Sequence, residues 1–212
     1  NAARFFHAAE IRERHRRALR RRLALDGDEP VLLVVAMMRF GDKLSSYRVL
    51  GRALNRIMNR RWTLAVVGDG AARPDVEQTL AALRGRVRWL GRVDEHALPT
   101  VYAAADLFVW PAVNEAYGLA LLEAQAAGLA VVAGRCGGVP DIVGDGETGC
   151  LVPVADAAAY AHAVARLLDD PGLSRAMGRR AASRVARRHD LAPASAALAG
   201  FLKPFAHPKD MA

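Results

Sequence analysis

Cysteine is nearly absent: Cys136 and Cys150 are the only two in 212 residues. Two thiols at that spacing make no zinc pattern and indicate no disulfide, which leads us to expect a reducing, cytoplasmic setting. Long apolar runs are missing too. The hydrophobic fraction is 52%, much of it alanine, yet no run is long enough to span a bilayer as a helix. Acidic residues are outnumbered, 22 against 30 Lys and Arg, for a net charge of +8. That imbalance implies acidic partners: nucleotide phosphates, anionic lipid or nucleic acid. No serine nucleophile elbow, zinc spacing or Walker lysine motif occurs, so the hydrolase and P-loop readings find no support. His96, His162 and His189 fall in helical patterns without partners. There is no internal repeat. Asn1 is not a natural start, and the chain is expected to be a fragment.

What is present is an alternation of strands and helices. Residues 31–36 and 62–67 are continuous Val- and Leu-rich runs of the kind that form parallel strands buried on both faces. Further strands are expected at 86–90, 106–110, 130–133 and 148–152. Helices are expected at 44–59, 74–83 and 95–104, from Tyr117 to a closing Gly128, and at 156–168, 173–188 and 194–201. Pro171 and Gly172 separate the two longest of the later helices. The pattern predicts an α/β fold: a Rossmann-like doubly wound parallel sheet with helices on both faces. Residues 1–29 are expected to be a basic linker helix, 30–190 the sheet domain, and 191–212 a C-terminal helix and tail. Seven arginines crowd residues 12–22. An anionic membrane surface or a nucleic acid could attract them; a solvated helix between two domains is the plainer reading. Asp26-Gly27-Asp28 spells D-x-D, but before a strand it reads as a turn, and no metal site is expected.

The stretch from Trp110 to Gly138 holds the chemistry. A strand leads into a loop, the loop into a helix, and the helix into the next strand. Open α/β sheets bind ligands at the carboxyl ends of such strands. The first amides of the helix, near Tyr117, Gly118 and Leu119, lack intrahelical acceptors and suit a phosphate. Glu115 and Glu123 flank them. A carboxylate accepts hydrogen bonds from hydroxyls, and hydroxyls on both sides of a phosphate describe a nucleotide sugar. Taken alone, the two glutamates read more plainly as one that starts a helix and one that faces solvent; their neighbours change that reading. Arg39 and Lys43 follow the first strand, where two cations can neutralise a diphosphate and stabilise it as it leaves. Gly68 and Gly70 make a turn after the second strand that serves either ligand approach or chain reversal.

Glu115-x7-Glu123, written E-A-Y-G-L-A-L-L-E, resembles the E-x7-E signature of retaining glycosyltransferases with the GT-B fold, in the large family called GT4. Gly137-Gly138-Val139-Pro140-Asp141 and Asp145-Gly146-Glu147-Thr148-Gly149 extend the resemblance. It covers the chain from about residue 30 and matches only the donor-binding half of such an enzyme. Three departures stand out: Leu44 follows Lys43 where glycine is usual, the loop that carries Arg39 and Lys43 is short, and Asp141 replaces the usual glutamate. The resemblance implies metal-independent transfer of a hexose from UDP-, GDP- or ADP-hexose to a glycan or lipid-linked hydroxyl, as in making cell-envelope polysaccharide, with no cofactor. Glu115, Arg39 and Lys43 would serve catalysis. Glu123, Tyr117, Gly118, Leu119, Gly68, Gly70, Val93 and Leu98 would hold the donor. The acceptor-binding N-terminal domain would be missing, leaving the fragment inactive alone. A peripheral contact with the cytoplasmic membrane face is compatible; a nucleic-acid partner is not expected. A nucleotide-sugar 2-epimerase-like domain and a non-catalytic nucleotide- or nucleic-acid-binding module are the alternatives.

Overall fold

Six short apolar segments form one sheet, and their burial explains why. In Val31–Val35 (β1), Val31 to Val34 are fully buried, and all of Thr63–Val67 (β2) is buried. A strand with no exposed face must be covered on both sides, which only crossover helices achieve. The others are Val87–Gly91 (β3), Leu107–Trp110 (β4), Val131–Gly134 (β5) and Gly149–Val152 (β6). All pair in parallel, in the order β3-β2-β1-β4-β5-β6. The order reverses between β1 and β4, and there the crevice of a doubly wound sheet opens. A computed structural model describes residues 2–25, 28–83 and 85–188. The D-x-D turn in part, His189 and the helix expected at 194–201 lie outside the described residues.

The helices are Ala3–Glu10 (α1), Arg12–Arg22 (α2), Asp42–Asn55 (α3), Arg73–Leu80 (α4), Leu98–Ala104 (α5), Leu119–Ala126 (α6), Val139–Ile142 (α7), Ala157–Asp169 (α8) and Pro171–Arg188 (α9). Several boundaries differ from the sequence expectation. The helix expected from residue 44 begins at Asp42, because Gly41 at φ +80° turns the chain into it. The helix expected from residue 95 begins at Leu98, after a turn in which Asp94 accepts from the His96 amide. Asp156 caps α8, its carboxylate accepting from the amides of Ala158 and Ala159. Pro171 opens α9, a position where its missing N–H costs nothing.

The arginine-rich segment is not a solvated arm. It breaks at Ile11 into α1 and α2, and both lie against α5. Phe5, Leu19 and Leu23 join the common core. Phe5 meets Tyr102 edge-on at 5.5 Å between ring centroids. Arg12 donates to the Ala105 carbonyl, Arg16 pairs with Asp106, and Arg20 donates to the Glu29 carbonyl at 2.8 Å. Asp106 also accepts from the Val31 amide at 2.8 Å, which ties the amino ends of β1 and β4 to α2.

Candidate functional site

A cavity of about 340 Å³ opens at the carboxyl ends of β1, β2 and β4 and runs to the start of α6. Its wall includes Lys43, Glu115, Gly118, Leu119 and Glu123 from the sequence expectation, with Gly68, Val93 and Leu98 on the far side. Arg39, Gly70 and Tyr117 are not part of the wall. Arg39 is exposed in the loop after β1, with no side-chain partner among the described residues. Arg92, Met37 and Trp110 line the cavity and escaped the sequence reading. A lone cation after an edge strand carries no signal of its own, and a tryptophan ending a strand reads as core.

The start of α6 lies two residues later than expected. Gly118, at φ +89°, takes the N-cap place and cannot be a helical residue. The first intrahelical bonds run from the Leu121 and Leu122 amides to the Gly118 carbonyl. The open donors of the helix itself are therefore the amides of Leu119 and Ala120, while Tyr117 lies outside it. Leu119 is 61% exposed and Tyr117 52% exposed. Leu119 lines the crevice together with Met37, itself 55% exposed, and the two give it an apolar edge beside Tyr117.

Glu115 is the most tightly held side chain of the site. Its Oε2 accepts from Lys43 Nζ at 2.6 Å and from Trp110 Nε1 at 3.2 Å. Lys43 Nζ also sits 5.4 Å from the Trp110 ring centroid. Trp110 is fixed in turn by an edge-on contact with Tyr47, 5.2 Å between centroids, and Tyr47 donates to the Ala36 carbonyl at 3.1 Å. Lys43 has three donors, so it can keep Glu115 and still present two N–H groups to an anion. Glu123 lies one helical turn beyond Leu119 on the same face of α6. Tyr102 donates to its Oε2 at 3.0 Å. Burial raises the Glu123 pKa, while the Tyr102 hydrogen bond works the other way. Burial first, then the nearby Glu123 charge, holds the Tyr102 phenol well above its ordinary value. A helix start with open amides thus lies between two carboxylates, one paired with a cation and one with a phenol.

Gly68 and Gly70 meet backbone. A Cβ on Gly68 would lie 1.9 Å from the Ala36 carbonyl oxygen, and one on Gly70 would lie 2.3 Å from that of Met38. The turn after β2 packs on the loop after β1, and Met38 donates to the Asp69 carbonyl at 2.9 Å. Gly68 still borders the cavity; Gly70 does not.

With this geometry in hand, the comparisons have a place. Residues 29–170 match the family described as glycosyl transferases group 1. Alpha-D-kanosaminyltransferase of Streptomyces kanamyceticus is 34% identical over 193 residues, covering 90% of this chain and 50% of that protein. Sucrose-phosphate synthase of Thermosynechococcus elongatus superposes with a TM-score of 0.76 at 30% identity, over 88% of this chain and 48% of that one. Anabaena HepE in complex with UDP-glucose superposes at 0.78 with 22% identity, over 90% of this chain and 52% of that one, which is a likeness of fold. The chain spans half or less of the length of the curated relatives it matches. The solved neighbours are GT-B glycosyltransferases, and the parallel six-stranded sheet is a Rossmann-like half of that fold. From the matched span and from these relatives, the chain belongs to the glycosyl transferases group 1 family.

Proposed function

We propose that this chain is the donor-binding domain of a retaining, metal-independent glycosyltransferase of the GT4 type that takes a nucleotide diphosphate sugar. The observation that carries the reading is the convergence of Lys43, Glu115, Glu123 and the open amides of α6 in one crevice at the sheet's switch point. The diphosphate sits at the amides of Leu119 and Ala120, with Lys43 beside it. Glu123 accepts from the ribose hydroxyls and Glu115 from the hexose hydroxyls. Val93 and Leu98 contribute to the base pocket. Arg39, exposed and unpaired at the mouth, swings toward the diphosphate once it is bound. HepE, a protein of like fold, has been solved with UDP-glucose, which supports the donor class.

The reaction breaks the bond between the anomeric carbon and the diphosphate oxygen; the acceptor hydroxyl supplies the new oxygen and gives up its proton to the departing diphosphate. Negative charge grows on the leaving diphosphate. Donors already aimed at it stabilise that charge with little reorganisation. Glu115, held by two donors, stands by the cationic character that develops on the sugar ring. An acceptor-binding domain covers the crevice in the working enzyme, and the exposed apolar side chains of Met37 and Leu119 in its wall suit such a cover. The 212 residues alone bind donor and transfer little. No helix among the described residues is long and apolar enough to cross a membrane; a glycan or lipid-linked acceptor at the cytoplasmic membrane face fits the reading.

Calorimetry with UDP, GDP, ADP and their hexose conjugates tests it, repeated on Glu123→Ala and Lys43→Ala. One diphosphate is expected to bind and to weaken in both variants. Binding that neither variant changes would refute the assignment.

A further inference from the structure

The larger cavity, about 520 Å³, lies at the opposite end of the sheet, where β1 and β4 begin. Four arginines line it: Arg12 and Arg16 from α2, Arg175 and Arg179 from α9. Each pair is spaced four apart, so both side chains of a pair share one helix face. Like charges at that spacing destabilise a helix, and here two such pairs border one pocket. The counter-charge is small. Asp106 pairs with Arg16 and spends its other oxygen on the Val31 amide. Among the described residues Asp28 is the only other carboxylate in the wall. Arg175 and Arg179 have no side-chain hydrogen bond or ion pair among the described residues. Burial, with Arg16 and Arg175 adding to it, lowers the Arg12 pKa against the pull of Asp106. The fold also brings α9 here by unusually close packing: a Cβ on Gly178 would lie 2.1 Å from the Gly128 carbonyl oxygen. Arg12 and Arg16 are half-buried and Arg175 and Arg179 exposed, so a concave, ligand-sized space presents guanidinium groups that outnumber the carboxylates beside them, which suits an anionic ligand.

We propose that this arginine-lined pocket is a second anion site, distinct from the crevice, that binds a ligand bearing a phosphate or diphosphate group. Arg175 and Arg179 grip the phosphate oxygens, Arg12 closes the inner wall, and Arg16 stays with Asp106. Planar guanidinium forks suit such oxygens. The volume accommodates a phosphorylated small molecule or a lipid headgroup. The proposal stands independently of the donor reading, since no residue is shared between the two cavities.

The test is a nuclear magnetic resonance titration of the 212-residue chain with inorganic pyrophosphate at constant ionic strength. The amides of Asp106, Leu107, Ser174 and Arg175 report on the pocket; those of Leu119 and Ala120 report on the crevice, where a diphosphate also fits. Saturable shifts are expected at the pocket amides. The double variant Arg175→Gln, Arg179→Gln is expected to weaken that response by about tenfold and to leave the crevice response unchanged. Without phosphate, its melting temperature should stay close to that of the parent, because both side chains are exposed. Sedimentation with phosphatidylglycerol against phosphatidylcholine vesicles separates the sources. Retention on the anionic vesicles, lost in the variant, assigns a headgroup; pyrophosphate binding without retention assigns a soluble ligand. Pocket amides unmoved by pyrophosphate together with no selective vesicle binding overturn the proposal. So does a response that the double variant leaves intact, or a variant that melts well below the parent, which would make the arginines structural.

Discussion

Trp110→Phe separates packing from chemistry at the candidate site. The tryptophan is 2% exposed, meets Tyr47 edge-on, and gives one of the two donors that hold Glu115. Phenylalanine keeps an aromatic ring in the core and removes the Nε1–H. Hydrogen bonds to charged groups contribute about 1.5–3 kcal/mol. The Glu115 side chain retains 18% of its exposure, so water replaces part of the lost bond and the low end applies. The smaller ring adds about 1 kcal/mol of imperfect packing. The sum is about 2–3 kcal/mol, against about 3–5 kcal/mol for Trp110→Ala, which also empties the site. Urea unfolding at pH 7 measures both, with an unchanged m-value as the check that only stability moved. The chemical consequence is sharper. On the proposed role of Glu115 toward the hexose hydroxyls, one anchor orients them less well, so Trp110→Phe should weaken the sugar conjugate more than the bare nucleoside diphosphate. Equal weakening of both, or a loss as large as that of Trp110→Ala, would refute the claim that Trp110 acts through Glu115.

Other perturbations probe the remaining parts. Lys43→Ala removes two donors open to a diphosphate and should lower nucleoside diphosphate affinity by about 10–100-fold in calorimetry; stability should change by less than about 1 kcal/mol, because the pair with Glu115 is partly solvated. Glu123→Gln has a pH-dependent sign. The folded-state pKa of Glu123 is raised, chiefly by burial, so ionisation costs stability once the pH exceeds the unfolded carboxyl range. Melting scans should find the variant more stable than the parent at pH 7, with the gap closing as the pH falls toward 4.5, the value the group has unperturbed; a variant less stable at pH 7 would contradict the burial argument. Gly137→Ala places a Cβ 2.2 Å from the Glu115 carbonyl oxygen at φ +50°. It should cost about 1–3 kcal/mol in urea unfolding and weaken the sugar conjugate.

The sheet was legible because its strands are buried on both faces. Runs such as 31–36 and 62–67 admit no other placement, and Pro and Gly mark the breaks between the later helices. Errors arose where apolar residues stay exposed. Tyr117 and Leu119 lengthened the apparent helix, yet both side chains stay exposed, and the residue between them takes a left-handed conformation that periodicity does not report. The arginines of α2 hid the opposite fact. Leu19 and Leu23 are few but one turn apart, and they are enough to seat the helix on α5. The one-turn helix α7 is too short for any period to register. Of the candidate site, Glu115, Lys43 and Glu123 could be found from spacing and resemblance. The pairing of Lys43 with Glu115 could not, because it joins residues 72 positions apart.

That pairing is also the reason the loops behave as one unit. Ser46 Oγ accepts from the Val113 amide at 3.0 Å, and Asn114 Nδ2 donates to Asp42 Oδ2 at 2.7 Å. With Lys43 to Glu115, three bonds link the first turns of α3 to the loop before α6. From the other side the Gly138 amide donates to the Ala116 carbonyl at 3.0 Å, and only glycine at 137 and 138 lets the chain approach so closely. The G-G-V-P sequence thus has a role that needs no ligand contact: it clamps the segment carrying Glu115 against the β5 side, while α3 clamps it from the β1 side. Asn114 itself sits at φ +53°, a strained value for a side-chain-bearing residue. Such strain persists only where the surroundings over-determine the backbone, and two clamps on one eight-residue loop, residues 111–118, do so. A carboxylate held this firmly before any ligand arrives loses little further freedom on binding one, which favours a preorganised site over one that closes around its substrate.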